Sequence, residues 1–132
     1  MMLEIVTPKK VIKEEGIDFV SLEGTDGSLG ILPGHIPIIA ELKIAPLHYD
    51  KNKSRETVAV MGGIVKVMSD VVTIITEDAE KATEIDVLLA KKEKEEAEAY
   101  LTKKAEIADI LKAEIALRRA LVRLKVAETS NK

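Results

Sequence analysis

The sequence predicts a β-sandwich or barrel that ends in an antiparallel two-helix hairpin. Three observations carry that prediction. All seven glycines and all four prolines lie at or before Gly63, so the last 69 residues contain neither. Up to about residue 76 the chain is a series of short β-branched runs separated by turn formers. From Glu77 onward Ala, Glu, Lys and Leu dominate, and apolar residues recur every three or four positions.

The strand candidates are LEIVT before Pro8, VIK from Val11, IDFVSLEG from Ile17, LKIAPLHYD from Leu42, ETVAVM before Gly62-Gly63, IVKVM from Ile64 and VVTIIT from Val71. Val20 and Leu22 oppose Ser21 and Glu23; Val58 and Val60 oppose Thr57, Ala59 and Met61. Such alternation buries one face of a strand, which suits a sandwich or barrel better than a parallel sheet under helices. YDKNKS (Tyr49 to Ser54) reads as a hairpin turn, and MSD (Met68 to Asp70) as another tight turn.

In the helical part, apolar residues fall at Ala82, Ile85 and Leu88-Leu89, then at Ile107, Ile110-Leu111, Leu117, Leu121 and Leu124. The stretch between, KKEKEEAEAY, has no apolar stripe. Two helices are therefore predicted, with Thr102 or Asp109 capping the second. Their apolar faces are narrow and rich in alanine. Small side chains bury little area, so the helices must dock on the β part or on a partner, with more than one arrangement close in energy. The expected division is residues 1–83 for the β part and 84–132 for the hairpin.

Composition narrows function. Charged residues make up 33% with both signs mixed, and the net charge is −3. With Phe19, Tyr49 and Tyr100 as the whole aromatic complement, a basic, base-stacking nucleic-acid surface is not expected. There is no cysteine, which removes disulfides and thiolate chemistry. No apolar run approaches the roughly 18–20 residues of a membrane span, so no direct membrane insertion is expected.

The densest irregular stretch is EGTDGSLGILPGHIP, from Glu23 to Pro37. It lacks GxxxxGK[ST] and GxGxxG, so it reads as tight turns around Gly27, Gly30 and Gly34, compatible with an exposed, rigid recognition loop. His35 and His48 have no neighbouring carboxylate cluster that would make a metal site. Asp18, Glu23, Asp26, Asp50 and Asp70 are scattered at turns, without the paired geometry of an acid–base centre. No catalytic residue and no metal ligand is assigned. KAEIALRRALVRLK, Lys112 to Lys125, carries five bases against one acid, with Arg119 and Arg123 on one face and Arg118 on a neighbouring one. Arginine at three sites favours bidentate contact with an acidic protein surface or a nucleotide phosphate. On the residues alone, a non-catalytic scaffold or adaptor with a movable hairpin also fits.

Three segments together carry a specific resemblance: GSLGILPGHIPI (Gly27 to Ile38), VMGGIVKVMSDVVTIITEDAEKATEID (Val60 to Asp86) and AEIALRRALVRLKVAE (Ala113 to Glu128). In order and over essentially the whole chain, the sequence resembles the epsilon subunits of bacterial F-type ATP synthases. The resemblance implies a sandwich of about ten strands and a two-helix hairpin. It implies a place in the central stalk, at the cytoplasmic face of the cell membrane, in contact with the gamma subunit, the c-subunit ring and the alpha and beta subunits. It implies coupling of proton-driven rotation to ATP synthesis, restraint of ATP hydrolysis by the C-terminal helices, and no active site on this chain.

Residue by residue, the resemblance implies a c-ring-facing loop containing Ser28, Gly30, Ile31, Leu32, Pro33, Gly34 and His35. Many members carry an acid where this chain has Ser28, so polar and shape contact replaces a charge contact there. Arg118, Arg119 and Arg123 would meet acidic beta-subunit surface when the hairpin opens. No cofactor is required. Some members bind ATP between the folded helices as a regulatory ligand, through an Ile/Leu-Asp-x-x-Arg-Ala motif and arginines of the second helix. Ile85, Asp86, Ala90, Arg119 and Arg123 fit that pattern, but Leu89 stands where the motif has arginine. Loss of a phosphate-directed guanidinium predicts weakened or absent ATP binding.

Overall fold

The alternating segments form strands and the Gly- and Pro-free tail forms helices, in a computed structural model that describes residues 1–103 and 106–129. Residues 104–105 and 130–132 of the expected hairpin domain lie outside the described residues. The strands are β1 (Met2–Val6), β2 (Val11–Glu14), β3 (Ile17–Gly24), β4 (Gly27–Ile31), β5 (Ile38–Lys51), β6 (Ser54–Met68), β7 (Val71–Ile75) and β8 (Ala79–Lys81). A 3-10 turn at Ala82–Glu84 leads to α1 (Val87–Leu101) and α2 (Ile107–Thr129).

Hydrogen bonding orders the strands β2-β1-β7-β6-β5-β3-β4, with β8 added to β6. β1 and β7 pair in parallel and the other pairs are antiparallel. β5 and β6, 14 and 15 residues long, form one hairpin that runs through both layers of the sandwich. Counted once per layer, they bring the eight strands to ten. One half of β6 pairs with β8 from Val58 to Val60, and the other with β7 from Ile64 to Met68. Gly62-Gly63, expected as a turn between two strands, lies between these halves inside one continuous strand. Both glycines have positive φ, 78° and 114°, so the strand twists there without ending.

The two predicted tight turns are present. Asn52 and Lys53 (φ 52° and 65°) join β5 to β6, and Ser69 and Asp70 (φ 51° and 61°) join β6 to β7. Two-residue loops with positive φ at both positions match the right-handed twist of the flanking strands.

The core is aliphatic. Leu3, Ile5, Val20, Ile31, Val58, Val65, Val72 and Ile74 are fully buried, and Tyr49 is the one aromatic side chain among the buried residues described. In the segment Thr57 to Met61, period-two alternation predicts one wet face. Both faces are buried instead. Val58 and Val60 point into the sandwich, while Ala59 and Met61 lie under α2 against Val122, Val126 and Ala127. The hairpin therefore docks on the β part through α2.

The hairpin seam is built from alanines. Ala90 and Ala97 of α1, and Ala113, Ala120 and Ala127 of α2, are buried and recur every seven residues. A seven-residue repeat keeps one face toward the partner helix, and methyl side chains let the two backbones approach closely. The expected caps are reassigned. Thr102 closes α1, its hydroxyl donating to the Ala99 carbonyl oxygen. Asp109 sits inside the first turn of α2, its N–H donating to the carbonyl of Glu106. The break between the helices is polar and carries no Gly or Pro, which is why cap chemistry alone did not locate it.

Candidate functional site

Two regions collect the candidate residues: a rim turn at one end of the sandwich, and the contact between hairpin and sheet.

At the rim, the seven candidates divide. Ser28, Gly30 and Ile31 belong to strand β4 and not to a loop. Ile31 is fully buried in the core and is corrected to a structural residue, because it pairs opposite Val20 on the inward face. Ser28 is exposed, and its hydroxyl donates to Glu23 Oε2 at 2.8 Å, so a carboxylate stands beside it. Gly30 lies close to an aromatic side chain: a Cβ there would lie 3.2 Å from the Phe19 ring, a tight contact that the ring would have to yield to. The turn proper is Leu32, Pro33 and Gly34, with the His35 N–H donating to the Leu32 carbonyl. Gly34 (φ 81°) donates its N–H to Asp70 Oδ1 at 2.8 Å, which ties this turn to the β6–β7 turn. Asp70 had read as a turn and surface group; its role in holding Gly34 was not visible from spacing. Leu32, Ile36, Ile39 and Met68 are all exposed at this end. His35 is half-buried, its Nδ1 2.7 Å from the Ile36 carbonyl oxygen.

At the hairpin, Asp86 caps α1, Oδ1 accepting from the Leu89 N–H at 3.0 Å. A cleft of about 130 Å³ is lined by Glu80, Asp86, Leu89, Ala90, Glu93 and Arg123. The structure thus brings Asp86, Leu89, Ala90 and Arg123 together. Ile85 instead packs under α2, with Val122 and Val126. Arg119 lines a neighbouring groove of about 320 Å³ with Lys112, Glu93 and Arg123. Its Nε is buried without a hydrogen-bond partner among the described residues. Arg118 is exposed on another face of α2.

Arg123 is the most heavily paired of the three arginines. Its Nε donates to Glu80 Oε1 at 2.5 Å and its Nη2 to Asp78 Oδ2 at 3.2 Å. Nη1 stands 3.6 Å from Glu93 Oε2. Burial opposes its charge, but the Glu80 hydrogen bond and the nearby Glu80, Glu93 and Asp78 carboxylates outweigh burial and raise its pKa. Sequence reasoning missed these acids. Asp78 and Glu80 are two apart in an extended segment, on one face, and that spacing was the available signal.

Beyond the buried α2 contact, His48 and Thr57 continue the same outer face of the β5–β6 hairpin, two rows past Ile44 and Met61. His48 Nδ1 lies 2.9 Å from Thr57 Oγ1. His48 also lines a cavity of about 390 Å³ together with Thr129, at the end of α2. Among the described residues no group of three or more His, Cys, Asp or Glu is placed to hold a metal. Nor is any described helix long and apolar enough to cross a membrane.

Comparison with known proteins agrees with this architecture along the chain. Residues 1–82 match the family model of the ATP synthase delta/epsilon chain β-sandwich domain, and residues 83–128 that of its long α-helix domain. The ATP synthase epsilon chain of Syntrophobacter fumaroxidans is 44% identical over 126 residues, covering 96% of this chain and 94% of that protein. That of Bacillus licheniformis is 46% identical over 127 residues, covering 96% and 97%. Among solved structures, a chain in the Euglena gracilis mitochondrial ATP synthase OSCP/F1/c-ring assembly superposes with a TM-score of 0.78 at 25% identity, over 98% of this chain and 80% of that one. The chain belongs to the ATP synthase delta/epsilon chain family.

Proposed function

We propose that this chain is the epsilon-type subunit of the central stalk of a bacterial F-type ATP synthase, coupling rotation to ATP synthesis and restraining ATP hydrolysis through its hairpin. The carrying observation is the ordered match of both family models across residues 1–128, sandwich then helices. The sandwich is the anchor. Its rim turn, with Leu32 and Ile36 exposed and Gly34 held by Asp70, suits contact with the c ring, while Ile31 serves the core. The hairpin is the movable part. It docks through a short contact in which Val122, Val126 and Ala127 meet Ile44, Ala59 and Met61. Arg118 and Arg119 are the arginines left for acidic beta-subunit surface once it opens. The subunit works at the cytoplasmic membrane face as a peripheral part of the assembly, and catalysis belongs to other subunits.

Regulation by bound ATP is disfavoured for this chain. The cleft that holds Asp86, Leu89 and Ala90 measures about 130 Å³, below the roughly 300–1,000 Å³ of ordinary ligand pockets. Three carboxylates stand around Arg123, where phosphates would have to compete for its guanidinium.

The test is the ATPase rate of a reconstituted complex with the chain intact and with the chain cut after Glu84. Truncation is expected to raise hydrolysis while leaving the sandwich bound. An unchanged rate rejects the brake.

A further inference from the structure

We propose that Arg123 is an internal latch that holds the hairpin both closed and docked, so that it keeps the brake disengaged and is not itself one of the brake's contacts. The inference rests on the reading that hairpin opening restrains hydrolysis, but its central measurement does not.

The geometry carries it. One guanidinium on α2 reaches three separate places: Glu80 in β8, Asp78 just before β8, and Glu93 in α1. The first two fasten α2 to the sandwich and the third fastens α1 to α2. Closure of the hairpin and its docking on the sheet therefore share one group. The arginine side chain is 18% exposed and Glu80 is 21% exposed, so this ion pair is shielded from solvent far more than a surface pair.

The charge count sharpens the argument. Three carboxylates face one guanidinium at this junction. Neutralising Arg123 removes the attraction and also leaves like charges on α1 and β8 facing each other. The apolar part of the docking contact is short and partly alanine, so the charged junction is placed to decide the balance. Arg119, one turn earlier, has its Nε without a hydrogen-bond partner among the described residues, and Arg118 is exposed. The three arginines are thus divided: Arg123 turned inward as a latch, Arg118 exposed on another face, and Arg119 half-buried in the groove beside Glu93 with its Nε unpaired among the described residues.

The experiment compares amide hydrogen exchange of the isolated chain with Arg123→Gln, Arg123→Lys and Glu80→Gln. Exchange in α1 and α2 is expected to rise about tenfold for Arg123→Gln, less for Arg123→Lys, with β3, β5 and β7 unchanged. Glu80→Gln keeps the arginine yet is expected to shift exchange in the same direction. Unchanged helix exchange in both Arg123→Gln and Glu80→Gln overturns the latch, and so does loss of protection throughout the sandwich in all three variants. In the reconstituted complex, the latch predicts deeper inhibition of ATP hydrolysis for Arg123→Gln. Relief of inhibition makes Arg123 a contact to the partner and overturns the proposal. Truncation after Glu84 runs alongside: if it leaves hydrolysis unchanged, the brake reading fails, and the exchange data still decide the latch.

Discussion

The carbonyl oxygen of Ile75 occupies the space where a side chain at Gly63 would begin, and a Cβ placed there collides with it. Gly63 also sits at φ 114°, outside the range of an L side chain. The two constraints have one origin. β6 changes partner from β8 to β7 around this point, and the twist that permits the change brings the two backbones together.

Gly63→Ala therefore combines a backbone clash with a forbidden φ, and is expected to destabilise the sandwich by about 2–4 kcal/mol. Urea unfolding of the isolated chain, followed by sheet circular dichroism, measures it. A loss below half a kcal/mol would show that the strand can twist without glycine.

Docking of α2 is expected to weaken in mild acid. The imidazole of His48 lies at the edge of the docking contact. Burial, then the Arg55 and Lys125 charges, push its pKa below the ordinary 6.5, against weaker support from Asp50 and Glu23. Glu56 and Lys81 line the same cavity. A base whose pKa is depressed in the docked form binds fewer protons there than when released. Its contribution is complete above pH 6.5 and is lost as pH falls toward the depressed value. Helix protection factors, taken relative to the intrinsic amide rate at each pH, should therefore fall between about pH 7 and pH 5.5, and His48→Gln should remove that part of the pH dependence. An identical profile in the variant would assign the effect to other groups.

The sequence made the fold legible wherever a local rule was sufficient. Alternation around Val20 and Leu22 marked β3, and Asn52-Lys53 and Ser69-Asp70 turned where turn chemistry said they would. Gly62-Gly63 misled because glycine permits both a turn and a twist; only the positions of β7 and β8 decide which occurs. The site was less legible for the same reason. Ile31 sits in a Gly- and Pro-rich stretch yet faces Val20, a long-range pairing. Arg123 stood out as part of a basic face, but its partners Asp78 and Glu80 lie more than 40 residues away, at separations of 45 and 43. Charge along one helix cannot reveal which charges the fold brings to meet it.

The alanine seam gives a final expectation, one confined to the movable part. Ala120 is fully buried between the helices, with Ala90 and Ala97 among the buried residues of α1. Leucine at position 120 adds volume where two backbones approach closely, and α1 can yield more readily than the sheet. Ala120→Leu is expected to weaken hairpin closure by about 1–3 kcal/mol, through overpacking, while leaving sandwich stability in place. Amide exchange resolves the two: α1 should lose protection, and β1, β5 and β7 should keep theirs. The distinction matters for function. Overpacking opens the hairpin with Arg123, Asp78 and Glu80 unsubstituted and only the Glu93 arm of the junction separated, so inhibition of hydrolysis in the reconstituted complex should deepen while the ion pairs to the sandwich remain. If α1 opens and hydrolysis is unaffected, separation of the helices is not the step that engages the brake.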